Sequence, residues 1–223
     1  MRVQVGGVRG LLGTLSFDAA QGKLDSIDVS RTTGDVQKLC PLGTHQLVYV
    51  TSEGILETRG ATDSLKLEHK NCVGIDKCQE GIILGFEPNQ FQVRLPREDF
   101  KVSHEFSIPG VGEKQVLRAF RVGSGTSFMA VGGIEYDLRV YDLEKQQVSF
   151  RSKNVALDYL DLRTPLQIIS LDYVDKDATK IITGTLNHKV RLYDSKSGNK
   201  RPVMDIELGD YAVNCIQSSS DQM

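Results

Sequence analysis

Tryptophan is absent from this chain, cysteine is scarce, and no apolar run approaches the length that crosses a bilayer. The last absence leaves no candidate membrane helix. The opening residues, MRVQVGGVRG, break into glycines before the apolar core of a leader can develop, which argues against a secretory signal. Cys40, Cys72, Cys78 and Cys215 form no CxxC pair and no zinc-ligand spacing, so they are expected to be free thiols of an intracellular protein. His45, His69, His104 and His188 are scattered without HxH or HExxH spacing, and no metal site is expected. The clusters Gly6-Gly7, Gly123-Ser124-Gly125 and Gly132-Gly133 lack the Lys-Ser/Thr that follows a phosphate-binding loop. No GxSxG elbow occurs. Asp158 and Asp161 are close in sequence, but acidic residues in a loop are more simply solvated or paired with a neighbouring arginine. These gaps remove the usual grounds for catalysis, for a cofactor and for a small-molecule substrate.

What is present is glycine, 21 residues of it, punctuating short β-branched or alternating segments such as LVYV, GIILGF, FQVRL, LRVYDL and KVRLYD. No stretch sustains helical apolar spacing for three turns. The chain reads as all-β. Five segments share a small residue or glycine, a tight turn and an alternating strand: VGGVRGLLGT, VTSEGILET, LGFEPNQFQVRL, VGGIEYDLRVYDL and TGTLNHKVRLYD. Their first apolar residues after the turn, Leu11, Ile55, Phe91, Leu138 and Val190, are 44, 36, 47 and 52 positions apart. A period of roughly 40 to 45 is that of WD propeller blades. LRVYD and VRLYD end as a WD strand does, with tyrosine in the place of tryptophan.

The expected fold is therefore a single WD40-type β-propeller domain over residues 1–223, with about five blades visible. Propellers most often close with more blades, so the expectation is a seven-bladed ring truncated at its C-terminus, with YAVNCIQSSSDQM as the inner strand of a further unit. A five-bladed ring with atypical closure is the alternative. Each blade must be sandwiched between neighbours. Val140 and Leu192 are expected to face one neighbour, with Leu138, Val190, Tyr141 and Tyr193 packed elsewhere. Asp142 and Asp194 are placed to accept backbone hydrogen bonds in the turn that follows.

Charge adds a second layer. The formal net charge is only −2, but residues 151–203 hold ten Lys or Arg against six Asp. That excess makes Lys189, Arg191, Lys196, Lys200 and Arg201 candidate RNA contacts through phosphate. The long connection that begins FRSKNVALDYLDLRTP carries Arg151, Lys153, Asn154, Asp158, Tyr159, Asp161 and Arg163, amphipathic types that favour interfaces. These seven are the candidate partner-binding residues. Leu160 and Leu162 are expected to point inward, and Asp161 and Arg163 to pair locally.

Over residues 130–216 the succession GGIEYDLRVYDLE, FRSKNVALDYLDLRTP, HKVRLYD and RPVMDIELGDYAVNCI resembles the nucleolar WD-repeat ribosome assembly factors, the family of Nop-seven-associated protein and WD repeat-containing protein 74. Upstream the resemblance is weaker but collinear. It implies a scaffold in the nucleolus or nucleus, joined to pre-ribosomal proteins and pre-rRNA in precursors of the large ribosomal subunit. It also implies support of pre-rRNA processing and release by an AAA-type ATPase, with no membrane partner. A generic WD40 adaptor in another nuclear or cytoplasmic complex is the competing expectation.

Overall fold

In a computed structural model of the chain, the described residues are 2–17, 23–32, 34–42, 46–59, 64–69, 71–157 and 160–218. The chain divides into two compact units, Met1–Lys77 and Cys78–Met223. Both are built from antiparallel strands, and the described residues contain no α-helix, only two short 3-10 turns at Val8–Gly10 and Pro96–Glu98. The all-β expectation holds.

In the first unit, β1 (Arg2–Gly6), β2 (Leu11–Phe17) and β3 (Leu24–Arg31) form a three-stranded sheet. A four-stranded sheet follows, from β4 (Val36–Pro41), β5 (Leu47–Thr51), β6 (Ile55–Thr58) and β7 (Ser64–Lys66), paired in that order. β5 is buried along its whole length, as LVYVT leads one to expect of a strand covered on both faces. Leu12, Leu47 and Tyr49 make the core between the two sheets, with Val36 and Leu39 packed against it. β8 (Cys72–Lys77) ends this unit and carries the buried Cys72, whose thiol is pushed up to about 11 by desolvation.

The second unit continues with β9 (Ile82–Phe86), β10 (Gln90–Leu95) and β11 (Lys101–Phe106), paired in succession. Two four-stranded sheets follow. The first runs β12 (Val116–Val122), β13 (Phe128–Ile134), β14 (Tyr136–Asp142) and β15 (Gln147–Arg151). The second runs β16 (Ile168–Tyr173), β17 (Lys180–Thr185), β18 (Lys189–Asp194) and β19 (Met204–Glu207). In both, the first pair of strands carries a register shift, at Leu117/Ala119 and at Ile168/Ser170.

One core joins these last two sheets: Ala130, Leu138, Val140 and Phe150 from the first, Ile168, Leu171, Ile181 and Tyr193 from the second. Leu138 and Val140 thus share a face, which corrects the expectation that Val140 faces the neighbour while Leu138 packs elsewhere. Residues two apart on a strand point the same way. Tyr141 and Tyr193 occupy equivalent places, opposite Met129 and Ile181. Asp142 accepts from the amides of Glu144 and Lys145 at 3.1 Å, and Asp194 from those of Lys196 and Ser197 at 2.9 and 3.2 Å. Both aspartates do what their place at the strand end suggested.

Glycines on β1, β9 and β13 let the first strand of the following sheet come close, and one on β17 admits the segment after β19. A Cβ on Gly6 would lie 2.5 Å from Val36, on Gly85 2.6 Å from Phe120, on Gly132 2.9 Å from Ile168, and on Gly184 2.7 Å from Val213. Val213 belongs to the stretch expected as a further inner strand. It forms no named strand, but lies along β16 and β17: the Val213 amide donates to Thr185 O, and Ser170 Oγ donates to Val213 O.

Candidate functional site

The loops at one end of the β12–β15 sheet converge on an open hollow of about 610 Å³. Its walls are the turn 110–115 that leads into β12, Glu135 in the β13–β14 hairpin, and Arg151 and Arg163 at either end of the long connection.

Each wall is held in place by side chains. Gln115 pins the turn, accepting from the Gly112 amide at 2.8 Å and donating to Glu135 O at 2.8 Å. Gly110 has φ +74°, which a side-chain-bearing residue adopts only at a cost. The hairpin is tied to the connection by the Glu135 amide, which donates to Leu166 O at 2.7 Å, and by an Arg163–Glu135 ion pair at 3.0 Å. Asn154 Nδ2 donates to Thr164 O at 2.6 Å and closes the connection into a loop. Arg151 binds Asp137 through two nitrogens, at 2.7 and 2.9 Å.

Beneath the hollow lies Arg139, only 1% exposed. Its two terminal nitrogens donate to Pro109 O and Gly110 O at 2.8 and 2.9 Å, and its guanidinium stands 5.0 Å from the centre of the Tyr136 ring. Its Nε has no hydrogen-bond partner, and among the described residues no carboxylate pairs with it. Desolvation lowers its pKa. Sequence reasoning passed over this residue, although an arginine inside the otherwise apolar LRVYD was the signal.

The seven partner-binding candidates fare differently. Arg151 and Arg163 line the hollow, Asn154 shapes the loop behind it, and Lys153 and Asp161 are exposed. Asp158 and Tyr159 lie outside the described residues. The pairing expected between Asp161 and Arg163 is replaced by Arg163–Glu135, because the hairpin brings Glu135 against the guanidinium. Leu160 and Leu162 are 60% and 59% exposed, not inward, since Phe150, Leu166 and Ile168 already fill the core at both ends of the connection.

Of the RNA candidates, Lys196, Lys200 and Arg201 are exposed on the turn after β18. The Lys153 amide donates to Lys200 O at 2.8 Å, so the two candidate sets meet. Lys189 is half-buried, 3.9 Å from Glu207. Arg191 is corrected: at 2% exposure and 3.1 Å from Asp205, it is an internal residue with no open face to offer a phosphate. Among the described residues, no group of three His, Cys, Asp or Glu is placed to hold a metal ion. A second cavity, of about 60 Å³ beside Cys78 and His104, holds little more than water.

Successive antiparallel sheets whose strands pair in sequence order define a WD40-type β-propeller fold. No protein-family model matches the chain. WD repeat-containing protein 74 of Bos taurus is 37% identical over 89 residues, 40% of this chain and 23% of that protein. The protein of the same name from Homo sapiens is 34% identical over 111 residues, 45% of this chain and 29% of that one. Ribosome biogenesis protein NSA1 of Meyerozyma guilliermondii is 34% identical over 108 residues, 42% and 27% of the two chains. The matched stretch thus spans about a quarter of the length of these curated relatives. Their names bear out the resemblance drawn from residues 130–216.

Proposed function

We propose that the chain is a non-catalytic scaffold of ribosome biogenesis that joins precursors of the large ribosomal subunit in the nucleolus and supports pre-rRNA processing. The observation that carries this is the convergence of turn 110–115, the β13–β14 hairpin and the 151–165 connection on one end of a rigid sheet. There, polar side chains bind one another and the main chain, leaving charged groups displayed without a nucleophile or metal set among them. Such a surface docks macromolecules. The names of the relatives supply the pathway, and an AAA-type ATPase is the expected means of release.

In this reading the 151–163 connection meets pre-ribosomal proteins, and Lys153, Lys196, Lys200 and Arg201 meet pre-rRNA through phosphate. With so few cations, binding to free RNA is weak, and its affinity falls with salt at a log–log slope of about −2 to −3. The test is co-sedimentation of the tagged protein with large-subunit precursors. Replacing Lys153, Lys196, Lys200 and Arg201 by Ala is expected to reduce co-sedimentation while the melting temperature stays within a few degrees. Recovery of the parent chain only in cytoplasmic complexes free of pre-rRNA refutes the proposal in favour of a generic adaptor.

A further inference from the structure

At one place in three sheets, a buried polar side chain on the strand that holds the repeat anchor faces the outer strand. Gln92 faces Glu105, Arg191 faces Asp205, and Arg139 faces Arg151. In the first two the facing residue is a carboxylate bonded to it, at 2.6 and 3.1 Å. In the third it is a second cation, which turns away to Asp137. Arg139 therefore sits in a low-dielectric site with two carbonyls, a glutamine oxygen at 3.4 Å, a ring face and the field of Asp137, itself bonded to Arg151, to offset its desolvation. Neutral acceptors repay that cost in part.

The charge left over is expressed at the hollow above it, because a field escapes a low-dielectric wall through the solvent gap. Arg139, Lys114, Arg151 and Arg163 outnumber Glu113, Glu135 and Asp137 by one cation, and no described carboxylate pairs with Lys114. The main chain of the turn is bare: a Cβ on Gly112 would meet nothing within 4 Å. We propose that this hollow receives a carboxylate side chain from an acidic peptide segment of a partner protein, placing across the 110–115 turn from Arg139 a counter-charge that Asp205 supplies to Arg191 by direct contact. With one cation in excess and Glu113 and Glu135 on the rim, the hollow suits a single carboxylate and not the closely spaced charges of an RNA backbone, so a peptide fits better than RNA. The proposal deepens the docking reading above and rests on it for the origin of the peptide.

Fluorescence anisotropy of the purified full chain tests it, with short fluorescein-labelled peptides of alternating Ser and Glu or Ser and Gln, and with an oligouridylate. The Glu peptide is expected to bind at least about tenfold more tightly than the Gln peptide, and Lys114→Glu to weaken it by about tenfold at an unchanged melting temperature. Amide hydrogen exchange is expected to slow at 110–115 when the Glu peptide is bound. Equal binding of the two peptides, indifference to Lys114→Glu, or displacement of the peptide by a tighter oligouridylate overturns the inference. A Lys114→Glu chain that loses the peptide yet still co-sediments with precursors supports the hollow's chemistry and refutes its part in docking. Failure of the peptide alongside normal co-sedimentation of the parent overturns this inference and spares the scaffold.

Discussion

Strands β14 and β18 carry nearly the same five residues, LRVYD and VRLYD, yet their arginines lead different lives. Both are buried, Arg139 at 1% and Arg191 at 2% exposure. Arg191 finds Asp205 on β19, whereas Arg139 finds Arg151 on β15. The outer strand, not the repeat itself, decides whether the charge is answered within the sheet. A repeat motif therefore specifies the backbone and the place of a side chain, while electrostatic completion depends on the least regular strand. That strand is where one sheet has room to differ from the next.

Removing Asp205 tests this difference most severely. Asp205→Ala is expected to cost about 3 kcal/mol in urea unfolding, because it strands a buried guanidinium. Asp137→Ala is expected to cost less than about 1 kcal/mol, since its partner Arg151 is 56% exposed. Equal losses would break the comparison. A smaller effect is expected from Arg151→Asp, which gives β15 the carboxylate that β19 has but leaves Asp137 unpaired beside it. The two changes should offset to within about 1 kcal/mol in stability, while the affinity of the Glu peptide falls.

The hairpins at the opposite ends of the two sheets sharpen the contrast further. Thr126 braces the β12–β13 turn, donating to Gly123 O and accepting from the Phe128 amide. Asp175 braces the β16–β17 turn, accepting from the amides of Thr179 and Lys180 at 2.8 and 3.0 Å. Burial raises the Asp175 pKa, but those amides and the Thr179 hydroxyl outweigh it and hold it below its ordinary value of 3.8. Its contribution is thus fully present above that value and is lost as pH falls through the lower, folded one. The protection of the Thr179 and Lys180 amides, taken relative to their intrinsic exchange rates, should fall in acid, and more than that of Phe128. Asp175→Asn should remove this pH dependence of protection. The smallest difference expected is chemical: iodoacetamide should modify exposed Cys215 well before buried Cys72, whose raised pKa keeps it a thiol, as peptide mass spectrometry would show.

Much of this was legible because the repeat writes backbone geometry directly into residue type. Leu11, Ile55, Phe91, Leu138 and Val190 all fall on strands, β2, β6, β10, β14 and β18. Asp142 and Asp194 brace turns because a carboxylate at a strand end has free amides within reach. The fate of the charges was not legible, since it depends on which residue of an outer strand lands opposite. β15 meets β14 with a register shift between Val140 and Tyr141 that no local pattern announces. Leu160 and Leu162 misled for a related reason: alternation implies an inward face only where there is a strand, and their connection is irregular. Arg191 looked like a surface cation because composition counts charge without burial.

The glycines on β1, β9, β13 and β17 give the architecture a direction. Each is a socket filled from later in the sequence, by Val36 for Gly6, Phe120 for Gly85 and Ile168 for Gly132, and for Gly184 by Val213 together with Ser170 of its own sheet. A sheet can thus be complete in its own hydrogen bonds and still wait, one face open, for the next stretch of chain to leave the ribosome. Damage should travel the same way in reverse. A bulky residue at Gly132 leaves β16 without a seat and unsettles the sheet already made, so the injury runs toward the N-terminus, against the order of synthesis.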